Sequence, residues 1–83
     1  MKIWSFIFCQ PDRLRSARVL APDRAMACMV LGGALSTEES PVYLDPNQPR
    51  LGCEVILNYA GESAETDARV LSAVLANGEE RVL

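Results

Sequence analysis

The sequence predicts an α+β fold, a two-layer sandwich in which two helices cover one face of an antiparallel or mixed sheet of four to five strands. Two features of the chain support this prediction. Apolar residues alternate with a period of two in several short segments and recur at helical spacing in two others. The predicted elements follow the order β-β-α-β-β-α, which places both helices on one side of the sheet. With 83 residues, we expect a single domain, residues 1–83.

Residues 2–9 predict the first strand, because aromatic and β-branched side chains fill this segment. Alternation gives the strand two apolar faces, one formed by Trp4, Phe6 and Phe8 and the other by Ile3, Ile7 and Cys9. Such a strand lies inside a sheet, with something packed on each face. Helices cover only one face, so the other meets a loop such as 36–41, a partner or a second copy. Our candidate for the dimer or partner face is Trp4, Phe6 and Phe8.

Residues 15–21 predict a second strand, antiparallel to the first because a short loop joins them. Pro22 and Asp23 then predict the start of a helix, since proline suits a first turn and an acid suits the positive end of the helix dipole. Gly32-Gly33 predicts the end of the helix. We expect an apolar stripe to face the core, formed by Ala25, Met26, Met29, Val30 and Gly33.

The second half predicts strands over residues 41–45 and 51–59, joined by a turn at 46–49. A polar lead-in over residues 61–67 precedes a second helix that ends near Ala76. Residues 81–83 predict either a short edge strand or a frayed end. In the longer strand we expect Leu51, Cys53, Val55, Leu57 and Tyr59 to point inward and Glu54 and Asn58 to point outward.

The composition argues against an enzyme. The chain has no histidine, which removes the usual nucleophile triads and zinc sites, and its glycines form no phosphate loop. Cys9, Cys28 and Cys53 are widely spaced and fit buried free thiols. We therefore expect no catalytic residue, no metal and no cofactor.

The chain also predicts a protein of the bacterial cytoplasm. Unpaired cysteines fit a reducing compartment, and no segment approaches the roughly 18 apolar residues of a membrane span. Seven arginines against one lysine are typical of a GC-rich bacterial gene.

Charge is unevenly distributed along the chain. Residues 1–36 carry a net charge of +3 and residues 37–83 one of −6, giving the formal total of −3. This asymmetry predicts an acidic face that binds a partner with a basic surface. The candidate residues are Glu62, Glu65, Asp67, Glu38, Glu39 and Glu54.

A short, acidic α+β chain in which a strand leads through Ala21-Pro22-Asp23-Arg24-Ala25 into a helix resembles the small orphan proteins of phages and mobile elements, among them the anti-CRISPR proteins. The resemblance covers size, charge and element order. It implies a non-enzymatic inhibitor that docks on a Cas effector or nuclease and blocks its binding of DNA or its recruitment.

Two alternatives remain open. One is a homodimeric antitoxin or regulatory subunit whose open sheet faces pair. The other is a nucleic-acid-binding module, with Arg13, Arg15 and Arg18 on phosphates and the aromatic face of the first strand stacking bases. The acidic balance of the chain disfavours direct binding of nucleic acid.

Overall fold

The structure, a computed structural model, describes residues 1–11 and 13–81. Within them five strands form one antiparallel sheet of order β3-β1-β2-β4-β5, accompanied by a single helix. The α+β class is therefore confirmed. No helix in the described part of the chain is long and apolar enough to cross a membrane. The elements are β1 (Lys2–Phe8), β2 (Leu14–Ala21), α1 (Arg24–Leu35), β3 (Val55–Glu62), β4 (Arg69–Leu75) and β5 (Glu80–Arg81).

The core lies between the sheet and α1. As the sequence predicts, β1 is an interior strand, paired with β2 on one side and β3 on the other. Residues that face each other across strands share a face of the sheet. One such row runs Leu57–Phe6–Ala17–Ala73, and all four side chains are buried in the core beneath α1.

The opposite face of the sheet is open at its centre and toward Ile7, whereas Leu20, which lies opposite Ile3 on this face, is fully buried. The central row of this face runs Asn58–Ser5–Arg18–Ser72 and is polar. Beside it, Ile7 and Ile56 face each other and are 46% and 44% exposed. The face of Ile3 and Ile7 is thus the one that α1 leaves uncovered.

Helix α1 begins where the sequence predicts, because the Asp23 side chain caps it by accepting a hydrogen bond from Met26 N at 2.8 Å. The predicted core stripe is wrong. Met29 is 65% exposed, and the residues buried against the sheet are Ala27, Cys28, Leu31 and Gly32. After Arg24 the helix is apolar on every side, so periodicity could not choose the buried face. Small side chains on the buried face let the helix approach the sheet.

The segment after α1 covers the rest of the buried face. Residues 41–45, predicted as a strand, are irregular and pack beside the helix, with Leu44 2% exposed in the core. Gly32 permits this packing, because a Cβ there would lie 2.9 Å from Val42 O. The strand predicted at 51–59 begins later, at Val55, after an isolated bridge between Arg50 and Glu54, and it runs on to Glu62. Of its predicted inward residues, Tyr59 is instead exposed.

The second predicted helix is wrong, since residues 69–75 form strand β4. The apolar stretch Val70–Leu75 is compatible with helical spacing, but β4 pairs along β2 and buries Val70 and Ala73. Pairing with β2 satisfies the backbone hydrogen-bonding groups of both strands. The stability gained in this way outweighs the local helix propensity of the segment. A bulge at Leu71 interrupts the strict alternation that would have revealed a strand. The predicted edge strand is confirmed only for Arg81, in β5, because residues 82–83 lie outside the described residues.

Candidate functional site

The outward side of the helix layer exposes large apolar side chains. Met29 is 65% exposed and Met26 37%, on a helix that carries no charge after Arg24. Tyr43, 78% exposed, lies on the segment that passes close to Gly32 of the helix, between Val42 and the buried Leu44. Soluble proteins usually place polar residues on such a helix face. The exposed face is therefore a candidate contact surface.

Two acids lie on an ordered loop that follows α1. Ser36 Oγ donates to Gly32 O and accepts from Val42 N, both at 2.7 Å, and so closes the loop over residues 36–42. A turn between Thr37 and Ser40 places Glu38 and Glu39 at its tip. We call Met26, Met29, Tyr43, Glu38 and Glu39 the helix-layer surface.

The two acids are adjacent like charges on the exposed tip of this loop. They follow the C-terminal end of α1, where the helix dipole favours cations. Neither acid takes part in the ion pairs found within residues 1–11 and 13–81. A basic partner would relieve this local excess of negative charge.

The other predicted acids are less suited to bind a basic partner. Glu62 is the last residue of β3, and Glu65 and Asp67 follow in the connection to β4. Glu65 pairs with Arg69 at 2.7 Å, and Glu62 faces Lys2 across the strands. Glu65 is therefore engaged in an ion pair, and Glu62 lies across the strands from a lysine.

Glu62 also accepts a hydrogen bond from the Tyr59 hydroxyl at 2.9 Å, which raises the pKa of Tyr59. Glu54 precedes β3, so about 25 Å of extended chain separates it from Glu62. The six candidate acids thus do not form one face.

The predicted partner face on β1 is wrong for two of its three residues. Phe6 is fully buried and Phe8 is 4% exposed, because α1 and the segment after it pack on that side. Trp4 is half-buried, and its indole donates to Ala21 O at 3.2 Å. Most of the aromatic face that was predicted to stack bases therefore belongs to the core.

The three predicted phosphate-binding arginines do not line up either. Arg15 donates to Ala76 O at 3.0 Å at one end of the sheet, whereas Arg18 lies at the centre of the open face. Arg13 borders a small cavity of about 60 Å³ beside Phe8 and Cys53. Each arginine therefore has a different environment.

The thiols differ in exposure, and this gives a direct test of the fold. Cys9 is exposed, while Cys28 and Cys53 are buried. Burial raises the pKa of the Cys28 thiol, with Arg24 opposing the shift and Asp45 adding to it. A raised pKa leaves less reactive thiolate near neutral pH. We expect Ellman's reagent to modify Cys9 rapidly at pH 8 and the other two thiols only on unfolding. Rapid labelling that persists in Cys9→Ser would contradict this arrangement.

Within the described residues, no group of three or more Cys, Asp or Glu side chains is placed to hold a metal ion. A larger cavity of about 330 Å³ opens beside β3, lined by Arg24, Arg50 and Glu54 among others. No protein-family model, curated protein or solved structure matches this chain. Sequence reasoning missed Tyr43 and the outward methionines as surface residues. In the sequence, the absence of charged residues in α1 after Arg24 was the feature that could have shown that apolar side chains on this helix are exposed.

Proposed function

We propose that this chain is a non-enzymatic, protein-binding inhibitor that docks through the helix-layer surface onto a partner with a basic, nucleic-acid-binding surface. One observation carries the proposal: Met29, on a helix with no charge after Arg24, and Tyr43, on the irregular segment that passes Gly32, are both largely exposed. Methionine and tyrosine are enriched at protein interfaces, where they contribute large contact areas.

Electrostatics supports a basic partner. Glu38 and Glu39 lie just beyond the end of α1, are exposed, and take part in neither ion pair found within residues 1–11 and 13–81. Lys and Arg side chains that normally contact phosphates would pair with these carboxylates. Complementary charge of this kind speeds association and selects the partner.

The chain inhibits its partner by occupying the partner's nucleic-acid-binding groove. A partner groove built for nucleic acid is rich in Lys and Arg, and an acidic protein seated there prevents phosphates from entering. In its most concrete version the partner is a Cas effector or nuclease, and the chain blocks its binding of target DNA. The resemblance to anti-CRISPR proteins supports this version.

The test begins with capture of the partner from the native host and continues with the purified pair. We expect Met29→Asp to weaken binding at least tenfold, because it puts a charge into the apolar contact. Glu38→Lys should weaken binding about fivefold at low salt and less at high salt, since salt screens exposed charges. The matched control is Glu54→Lys, the same charge change at a distant site, which should leave the affinity unchanged. Isothermal titration calorimetry measures all three.

Equal affinities for wild type and Met29→Asp would exclude the helix-layer surface as the contact. A partner that binds tightly yet still binds its nucleic acid would contradict inhibition by occupancy. Competition between the chain and labelled DNA for the partner distinguishes these two failures.

A further inference from the structure

The outer edge of β3 carries backbone groups that face away from the sheet. Val55 N donates to Pro49 O at 3.1 Å, and Leu57 O accepts from Arg24 Nη1 at 3.2 Å. Odd-numbered residues therefore direct their backbone groups outward, since these groups alternate between the two sides of a strand. Tyr59 has the same parity and precedes the bulge opposite Ile3 and Trp4. Within the described residues, Leu57 N–H and the N–H and C=O of Tyr59 have no partner on this edge.

A cavity of about 330 Å³ opens directly beside this edge. Its walls are β3 and the loop over residues 47–50. Two guanidinium groups, of Arg24 and Arg50, line it against one carboxylate, that of Glu54. The lining thus carries a net positive charge on a protein whose overall charge is negative.

The Arg24 side chain is held in place. Its Nε donates to Pro46 O at 2.6 Å, and its Nη1 donates to Leu57 O at 3.2 Å. These two bonds leave the Nη2 donors of Arg24 without a hydrogen-bond partner among the described residues, on the same edge as the unpaired N–H of Leu57. A fixed guanidinium beside a free backbone N–H is a suitable receptor for a carboxylate.

We propose that the outer edge of β3 binds the extended C-terminal segment of a partner protein. The segment adds to the sheet as an antiparallel strand that pairs with Tyr59 and ends opposite Leu57. Its terminal carboxylate accepts hydrogen bonds from Leu57 N–H and Arg24, with Arg50 contributing charge. This edge is distinct from the helix-layer surface, so such binding does not depend on the proposed function.

The antiparallel direction follows from the position of the arginines. A ligand strand whose C-terminus lies at Leu57 has its preceding residues at Tyr59, so its chain runs from Tyr59 to Leu57, antiparallel to β3. The exposed side chains of Ile56 and Tyr59 lie on opposite faces of β3 and would contact alternate side chains of the ligand. Tyr59 offers an unpaired C=O as well as an unpaired N–H, and a phosphate has no donor for that C=O, so a peptide backbone fits this edge better than a nucleic-acid phosphate.

The test uses a synthetic hexapeptide of alternating threonine and valine with a free C-terminus, added to the ¹⁵N-labelled full chain. We expect chemical-shift changes at the Leu57 and Tyr59 amides and at least fivefold weaker binding of the C-terminal amide. Arg50→Gln should weaken binding of the free acid at least threefold and should not affect binding of the amide. The matched control is Arg81→Gln, which removes an exposed arginine elsewhere and should leave binding unchanged.

Three results would overturn the proposal. One is the absence of shifts at Leu57 and Tyr59 at 10 mM peptide. Another is equal binding of the acid and the amide, which would show that no carboxylate is recognised. The third is displacement of the peptide by a short single-stranded DNA that shifts the same amides more strongly, which would identify the edge as a phosphate site. Arg24 is left unchanged throughout, because it also holds the loop at Pro46.

Discussion

Replacing Phe6 by alanine is expected to lower the free energy of unfolding by about 3–5 kcal/mol, the usual cost of removing a buried aromatic side chain. Phe6 is fully buried at the centre of β1. Its cross-strand neighbours on β2 and beyond, Ala17 and Ala73, are too small to fill the cavity left behind. A domain of this size has a total stability of about 4–12 kcal/mol, so the variant should be close to unfolding. Urea denaturation followed by tryptophan fluorescence measures the change.

The matched control for Phe6→Ala is Ile7→Ala on the next residue. Ile7 lies on the open face and is 46% exposed, so its truncation should cost no more than about 1 kcal/mol. Comparable losses for the two variants would mean that both faces of β1 are covered in solution. A larger loss for Ile7 than for Phe6 would reverse the assignment of the core face.

This pair of residues also shows how far the sequence could lead. The alternation of β1 and its interior position follow from local pattern alone, and so do the pairing with β2 and the start of α1 at Asp23. Which face of β1 meets the helix does not follow, because both faces are apolar. That choice depends on contacts between segments far apart in the chain, such as Leu44 packing into the core.

The two errors in the second half have related causes. The stretch Val70–Leu75 contains apolar residues compatible with either a strand or a helix, and only the presence of β2 as a neighbour decides between them. Residues 41–45 have strand propensity but lie beside α1, because Ser36 ties Val42 to the end of the helix. The acids Glu62, Glu65 and Asp67, expected at the start of a second helix, instead lie at the end of β3 and in its connection to β4. Their cations, Lys2 and Arg69, were not anticipated, because Lys2 is about sixty residues away in sequence from Glu62.

Gly32→Ala is expected to lower the free energy of unfolding by about 1–3 kcal/mol, although alanine has the higher helix propensity. The reason is the close approach of the segment beside the helix. A Cβ on Gly32 would lie 2.9 Å from Val42 O, a backbone atom that cannot rotate away. Val42 N is in turn bonded to Ser36 Oγ at 2.7 Å, so the segment moves only by breaking that contact. Thermal or urea unfolding at equilibrium measures the loss.

The neighbouring glycine supplies the control. Gly33 has nothing within 4 Å of the position of its missing Cβ, and it lies on the exposed side of α1. Gly33→Ala should therefore raise the free energy of unfolding by up to about 1 kcal/mol through helix propensity alone. Opposite signs at adjacent positions isolate the contact with Val42 from any general effect of alanine on the helix. If both variants are stabilised, residues 42–44 do not pack against α1 in solution, and Tyr43 then loses its place on the helix-layer surface.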